Sequence, residues 1–425
     1  MNLVYADREG NVYDHPDYLA LARSADMVTE IMEDELIPLP EGATLVSLPF
    51  TRPVYLDPQS GEMKRMAGEY EAVGALLPQG FTRLLLPGYL KTDKSKLMPL
   101  FGYTAVVWKE DGFYVAARQS DDPERWNPVN CDVRELELQV DRLAKQYPDN
   151  RLYQHLTKCA LEYECLTASN TFLQRWEGAV PVSYSCNAGC HGCISEQPED
   201  SGFVAPQTRM NFRPTVEEIV QVMLEHLKHP DSIISFGQGC EGEPSTQASL
   251  IIPAIRKVRE ITDMGYININ TNAGLTDHIR GIVDAGLQLM RVSTISALDG
   301  HYNAYYKPRG YTLQNVEKSL RYATDKGVLT SINYLIFPGV TDREEEIEAM
   351  IGFVRRTGLK LIQMRNLNID PETYLELIPP AQGEILGMKQ MIEIFQEELP
   401  EVAIGSYTHS PFGLEKKKEA EAAGS

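Results

Sequence analysis

Three cysteines, Cys186, Cys190 and Cys193, fall within eight residues in the run YSCNAGCHGC. A deprotonated cysteine is a soft metal ligand, and three of them on a short glycine-containing loop fold round one cubic iron–sulfur cluster, ligating three of its four irons. The fourth iron is then open to a small molecule, so the group is a chemical site and not only a structural one. A structural zinc ion is the other reading of the same residues; it wants four closing ligands, with His191 or Cys240 as the fourth. A ferredoxin-type electron carrier would bring four cysteines and a far smaller fold.

Other residue types along the chain suit a bound polar ligand. In FGQGCEGEPST, Gly242-Glu243-Pro244 sets a carboxylate, which suits a cation, beside a glycine that lets backbone approach and a proline that fixes the turn. Asn272 in NTNAG and Ser293 in RVSTISALDG both donate and accept hydrogen bonds. Arg365 in QMRNLNIDP carries a fork that matches a carboxylate, in a ligand or in a structural salt bridge. Turn punctuation and backbone satisfaction are the ordinary roles of such residues.

These residues need a scaffold. From about Pro181 to Leu367 short β-rich runs alternate with amphipathic helical patterns, the sign of βα units around a parallel sheet. Six strands are predicted: VPVSYS, SIISFG, YININTN, LMRVSTIS, LTSINYLIF and LKLIQMRNL. Thr215 with Glu218 and Thr341 with Glu344 are spaced as capping boxes, and Gly327 and Gly358 sit where helical patterns stop. Six units are fewer than a closed barrel's eight, which predicts an α/β fold, a partial (β/α)6 TIM-like barrel with an open side. Three regions follow: an N-terminal α+β domain over 1–175, on the substrate side or acting as a lid; the partial barrel over 176–380; and a C-terminal helix, possible strand (VAIGSYTH) and charged tail over 381–425. The first region holds a hairpin turning at Asp111-Gly112 and a helical pattern from Val133 to about Trp176. EKKKEAEAAGS should be solvated and frayed.

Cys-x-x-x-Cys-x-x-Cys after a first strand, with βα units following, resembles the radical S-adenosylmethionine (radical SAM) superfamily over roughly residues 178 to 370. The resemblance implies a [4Fe–4S] cluster on Cys186, Cys190 and Cys193 whose open iron chelates the amino and carboxylate groups of S-adenosylmethionine. One electron then breaks the sulfonium bond, and the 5′-deoxyadenosyl radical abstracts hydrogen from unactivated carbon, chemistry that needs a cofactor. Gly242, Glu243 and Pro244 resemble the turn that holds the methionine ammonium. Asn272 and Ser293 resemble cofactor-contacting positions, and Arg365 would meet the cofactor carboxylate or an acidic substrate group. Two positions depart from the pattern. Glu241 stands where a second glycine is usual, and Gly192 stands where an aromatic residue usually packs beside the adenine, leaving that to backbone or to residues at the fifth and sixth strand ends. An oxidoreductase of this kind takes an electron from a donor such as flavodoxin or ferredoxin and acts on a small molecule or peptide. A non-catalytic iron–sulfur or zinc barrel is the rival reading.

Cys159 and Cys165, six apart on one predicted helix, point to different faces and are read as buried thiols. Cys240 is either packed or a thiyl or persulfide carrier. The chain has 425 residues, 43% hydrophobic and 24% charged, an ordinary globular composition. Its net charge of −20 disfavours nucleic acid and anionic lipid as partners. No apolar run nears the ~20 residues of a spanning helix. No basic, apolar leader opens the chain, so the cytosol is the expected compartment, which also fits an odd count of seven cysteines.

Overall fold

The computed structural model describes residues 1–424 apart from 93, 95 and 381, with side chains to Glu419. Its C-terminal half carries the predicted βα alternation. Seven parallel strands, β1 (Glu177–Ala179), β2 (Ile233–Phe236), β3 (Tyr266–Thr271), β4 (Leu289–Thr294), β5 (Leu329–Ile336), β6 (Leu361–Asn366) and β7 (Ala403–Gly405), pair in chain order. β1 and β7 end the hydrogen-bonded path among the described residues, so the sheet is a partial barrel with an open side.

Strand periodicity decides what faces each side. Ile267, Ile269, Met290, Val292, Ile332, Ile336, Ile362 and Met364 join the apolar core shared with the helices. The alternate positions, among them Ser235, Asn268, Asn270, Arg291, Ser293, Asn333, Gln363 and Arg365, line the concave side, which is therefore polar, unlike a barrel interior filled with branched apolar side chains.

Two strand expectations need correction. The first strand is Glu177–Ala179 and not VPVSYS. Pro181 has no N–H to give a ladder, and the next two amides, of Val182 and Ser183, donate to the Glu241 carboxylate at 2.8 and 2.9 Å. The sheet also gains a seventh member, because the C-terminal strand pairs with β6.

Among the helices, α1 (Val133–Gln146), α2 (Arg151–Leu161) and α3 (Leu166–Leu173) precede the barrel, and Leu143, Leu156 and Phe172 share its apolar core with Ile219 and Val222 of α4 (Val216–His226). Thr215 and Glu218 form the expected capping box on α4. Further on lie α5 (Ala248–Ile261), α6 (Thr276–Asp284), α7 (Asp299–Tyr306), α8 (Leu313–Asp325) and α9 (Glu344–Thr357). Gly358 closes α9 in the left-handed conformation. Thr341 does not cap that helix; its hydroxyl closes the preceding turn by donating to the Phe337 carbonyl at 3.1 Å, and Arg343 takes the cap position. The charged tail is helical where fraying was expected, within Pro411–Gly424, and Leu414 just ahead of it packs on Leu361 and Ala403.

The N-terminal region forms an antiparallel sheet of thirteen strands among the described residues, with apolar clusters of its own. Its hairpin turns at Glu110-Asp111, one residue earlier than expected, since Lys109 pairs with Gly112 and Glu110 takes φ 55°. Arg83 pins this sheet to the barrel. Only 1% exposed, it donates to the carbonyls of Ile336, the last residue of β5, and Leu367, just after β6, at 3.3 and 3.1 Å, and to that of Tyr103 at 3.2 Å. No helix among the described residues is long and apolar enough to cross a membrane.

Candidate cluster-binding site

The cysteine loop leaves β1 and is strapped on two sides by backbone. On one side the amides of Gly242 and Glu243 donate to the Ser183 and Ser185 carbonyls at 2.7 and 2.9 Å. On the other, the Gly189 amide donates to the carbonyl of Tyr306 at 2.9 Å, that of His191 to Tyr305 at 3.2 Å, and that of Arg309 to Asn187 at 2.8 Å. This packing explains two glycines. A Cβ on Gly242 would lie 2.1 Å from the Ser185 carbonyl oxygen, so only glycine lets the turn touch the loop. A Cβ on Gly192 would lie 2.3 Å from the Tyr305 hydroxyl. The space that a side chain at 192 would take is filled by Tyr305 from α7, and nothing in the local sequence signals that contact.

The three thiols are free and partly buried. Burial, then the nearby Glu243 carboxylate, pushes Cys186 up to about 11, and burial holds Cys190 well above the ordinary thiol value. A metal centre lowers such values by its own charge. Arg209, which sequence reasoning missed, donates to Cys193 Sγ at 3.5 Å and also pairs with Glu196. Three thiols within eight residues of one loop are a donor set that three irons of a cube would take. Buried and without hydrogen-bond partners, Asn187 Nδ2 and His191 Nε2 leave donor or acceptor capacity in the same loop.

Glu243 is 4% exposed, and its carboxylate accepts from the amides of Ser245 and Asn272 at 2.9 and 2.8 Å and from the Thr271 hydroxyl. Burial raises its pKa. Pro244 opens the short helical turn that follows. Asn272 in turn donates from Nδ2 to Asn187 Oδ1 at 2.7 Å. Gly242, Glu243, Pro244 and Asn272 are therefore gathered against the cysteine loop. The departure at Glu241 has a structural reason: its buried carboxylate accepts four backbone amides, those of Val182, Ser183, Gly237 and Gln238, while burial pushes it up to about 7.

Ser293 and Arg365 lie instead on the concave face of the sheet. Arg365 donates to the Ser406 carbonyl at 2.8 Å and not to a carboxylate; burial, then neighbouring Arg291, lowers it to about 10. Arg291 donates to Thr408 Oγ1 at 3.0 Å and lies 4.0 Å from Glu177. Glu177 accepts from Ser235 Oγ at 2.7 Å, and Ser235 Oγ accepts from Asn268 Nδ2 at 2.9 Å. Asn268 Oδ1, Asn270 Nδ2 and Asn333 Oδ1 are buried without partners. The alternation of Ile and Asn in YININTN was the signal for this polar face.

Residues 180–353 match the family model described as the radical SAM superfamily. Among curated proteins no sequence matches the chain. Solved structures resemble it at low identity. HydG, a maturase of the [FeFe]-hydrogenase, has a TM-score of 0.38 and 12% identity, covering 65% of this chain and 63% of its own, so this chain spans under two thirds of HydG. SuiB from Streptococcus suis, bound to S-adenosylmethionine, has a TM-score of 0.37, 12% identity and coverage of 67% and 69%. Methylornithine synthase (PylB) has a TM-score of 0.37, 16% identity and coverage of 63% and 78%. The segment from the backbone after β1, through the three-cysteine loop and into α9, is thus similar to the radical SAM superfamily, over rather less than half of the chain.

Proposed function

We propose that the protein is a radical SAM enzyme in which Cys186, Cys190 and Cys193 hold a [4Fe–4S] cluster, Glu243 and Asn272 help seat S-adenosylmethionine, and the substrate enters the polar concave face of the barrel. When bound, the two groups supply reductive cleavage of the sulfonium bond, with a 5′-deoxyadenosyl radical taking hydrogen from the substrate and a flavodoxin- or ferredoxin-type donor providing the electron. The observation that carries the reading is the direct link from Asn272 to Asn187, beside Cys186, together with the Glu243 amide on Ser185.

The chain's own residues do the rest. A carboxylate has about four acceptor sites, and Glu243 uses three of them among the described residues. The fourth suits an ammonium N–H, whose charge would offset the burial of the carboxylate. On the concave face, Arg291 and Arg365 outnumber Glu177, so an anionic substrate group such as a carboxylate suits the charge left over. Ser293, with a hydroxyl at the same face, suits a ribose or carboxylate oxygen.

The test is anaerobic reconstitution with iron and sulfide, dithionite reduction in the presence of S-adenosylmethionine, and chromatography for 5′-deoxyadenosine. Formation of that nucleoside, strongly reduced in Glu243→Gln, supports the proposal. A fully loaded, reduced chain that forms none overturns it and favours a non-catalytic barrel.

A further inference from the structure

A second cluster of soft ligands lies outside the loop. His155 and Cys159 stand four residues apart on α2 and so share one helical face. That face meets the turn after β2, where Cys240 sits, 81 residues along the chain from Cys159. The imidazole nitrogen and the two sulfurs all lie within 4.8 Å of one another, with Cys159 Sγ 3.8 Å from His155 Nε2.

We infer that His155, Cys159 and Cys240 form a binding site for a soft divalent cation of the zinc class, separate from the iron–sulfur loop. Tetrahedral zinc needs its sulfur and nitrogen ligands roughly 3.5–3.8 Å apart, so closing the trio on an ion changes their separations by at most about 1.3 Å. The charge also balances. Two thiolates and one neutral imidazole around a doubly charged ion sum to zero, which suits Cys159 and Cys240 at 0% and 3% exposure within the main apolar core. Gln207 Oε1 adds an independent sign of a missing group. It is buried, has no hydrogen-bond partner, and stands 2.8 Å from where a Cβ on Gly239 would be, next to Cys240. Water on the fourth coordination position would give that oxygen a donor.

Packed thiols are the alternative, and Cys165 shows why spacing misled. It is not on the helix of Cys159: α2 ends at Leu161, Glu164 takes φ 50°, and the chain turns back so that the Cys165 amide donates to the Cys159 carbonyl at 3.0 Å. The thiols therefore crowd together instead of facing apart. An ion here would tie α2 to the turn that carries Gly242 and Glu243.

The experiment uses the full chain carrying Cys186→Ala, Cys190→Ala and Cys193→Ala, so that the loop cannot bind metal, titrated with cobalt(II) under reducing, anaerobic conditions. One cobalt per chain with thiolate charge-transfer and tetrahedral ligand-field bands, displaced by zinc, is expected. Adding Cys159→Ser or Cys240→Ser should weaken binding by at least about tenfold, the loss already produced by removing an outer-shell partner. Absence of tetrahedral bands, or cobalt binding unchanged by both serine variants, overturns the inference. Should the serine variants fail to fold, X-ray absorption of the zinc-loaded parent decides: two sulfur ligands with a nitrogen support the site, and a shell of oxygen and nitrogen alone overturns it.

Discussion

Asn272 reaches across from the end of β3 to hold Asn187, the residue after Cys186, through a 2.7 Å side-chain hydrogen bond. Its backbone amide meanwhile donates to Glu243. One residue thus couples the loop to the carboxylate turn. Truncating it to alanine removes the bond to Asn187 and leaves a further partly buried amide unpaired, a change of about 1–3 kcal/mol. Asn272→Ala should weaken S-adenosylmethionine binding by about tenfold, read by equilibrium dialysis, while Asn272→Asp keeps the acceptor and loses the donor. Equal affinity in wild type and Asn272→Ala would refute the coupling.

Gly242→Ala drives a methyl into the Ser185 carbonyl. The turn and loop must separate, and iron retained after reconstitution should fall well below wild type. Gly112→Ala, where a Cβ meets nothing within 4 Å, is the control and should retain wild-type iron.

Arg83 is buried among three carbonyls that join the N-terminal sheet to the ends of β5 and β6. Arg83→Met fills similar volume but strands those acceptors, and about 3 kcal/mol of stability should be lost in urea unfolding. An unchanged midpoint would show that the two regions do not depend on this residue.

His226 is fully buried, and burial pulls its pKa from 6.5 down to about 4. The unfolded chain therefore binds the extra proton between those values, and the stability this group contributes is present above pH 6.5 and lost as pH falls through 4. The expected size is on the order of 3 kcal/mol, from 1.36 kcal/mol per pH unit. Denaturant unfolding from pH 7 to pH 4 should show this slope, and His226→Phe should flatten it. A slope that survives the substitution assigns it elsewhere.

Arg209 donates to Cys193 Sγ, and hydrogen bonds and charge at the sulfurs tune cluster potentials. Removing a cation disfavours the reduced form. Arg209→Met should therefore shift the cluster's midpoint negative in a spectroscopic redox titration, and a positive shift or none would contradict the contact.

The strands from SIISFG to LKLIQMRNL, the Thr215 cap and the three-cysteine loop were legible because each rests on local chemistry: periodicity, a capping pair, a spacing. The first strand was not, since its ladder is diverted by Glu241, a carboxylate some sixty residues away whose role depends on the folded turn. Cys165 was misjudged because a left-handed residue at Glu164 breaks a helix that composition alone lets run on. Arg209 carried no signal at all, as its partner sulfur is fixed only by the tertiary path of the loop. Tyr305 belongs to the same class, because helix α7 brings it to the loop from more than a hundred residues away.

That last contact carries an obligation for any redesign. With the Tyr305 hydroxyl filling the space that a side chain at 192 would take, the two positions form a single volume shared by distant segments. Bulk can sit at one or the other, so a phenylalanine grafted at 192 becomes tolerable only when 305 is cut back to a small residue in the same molecule.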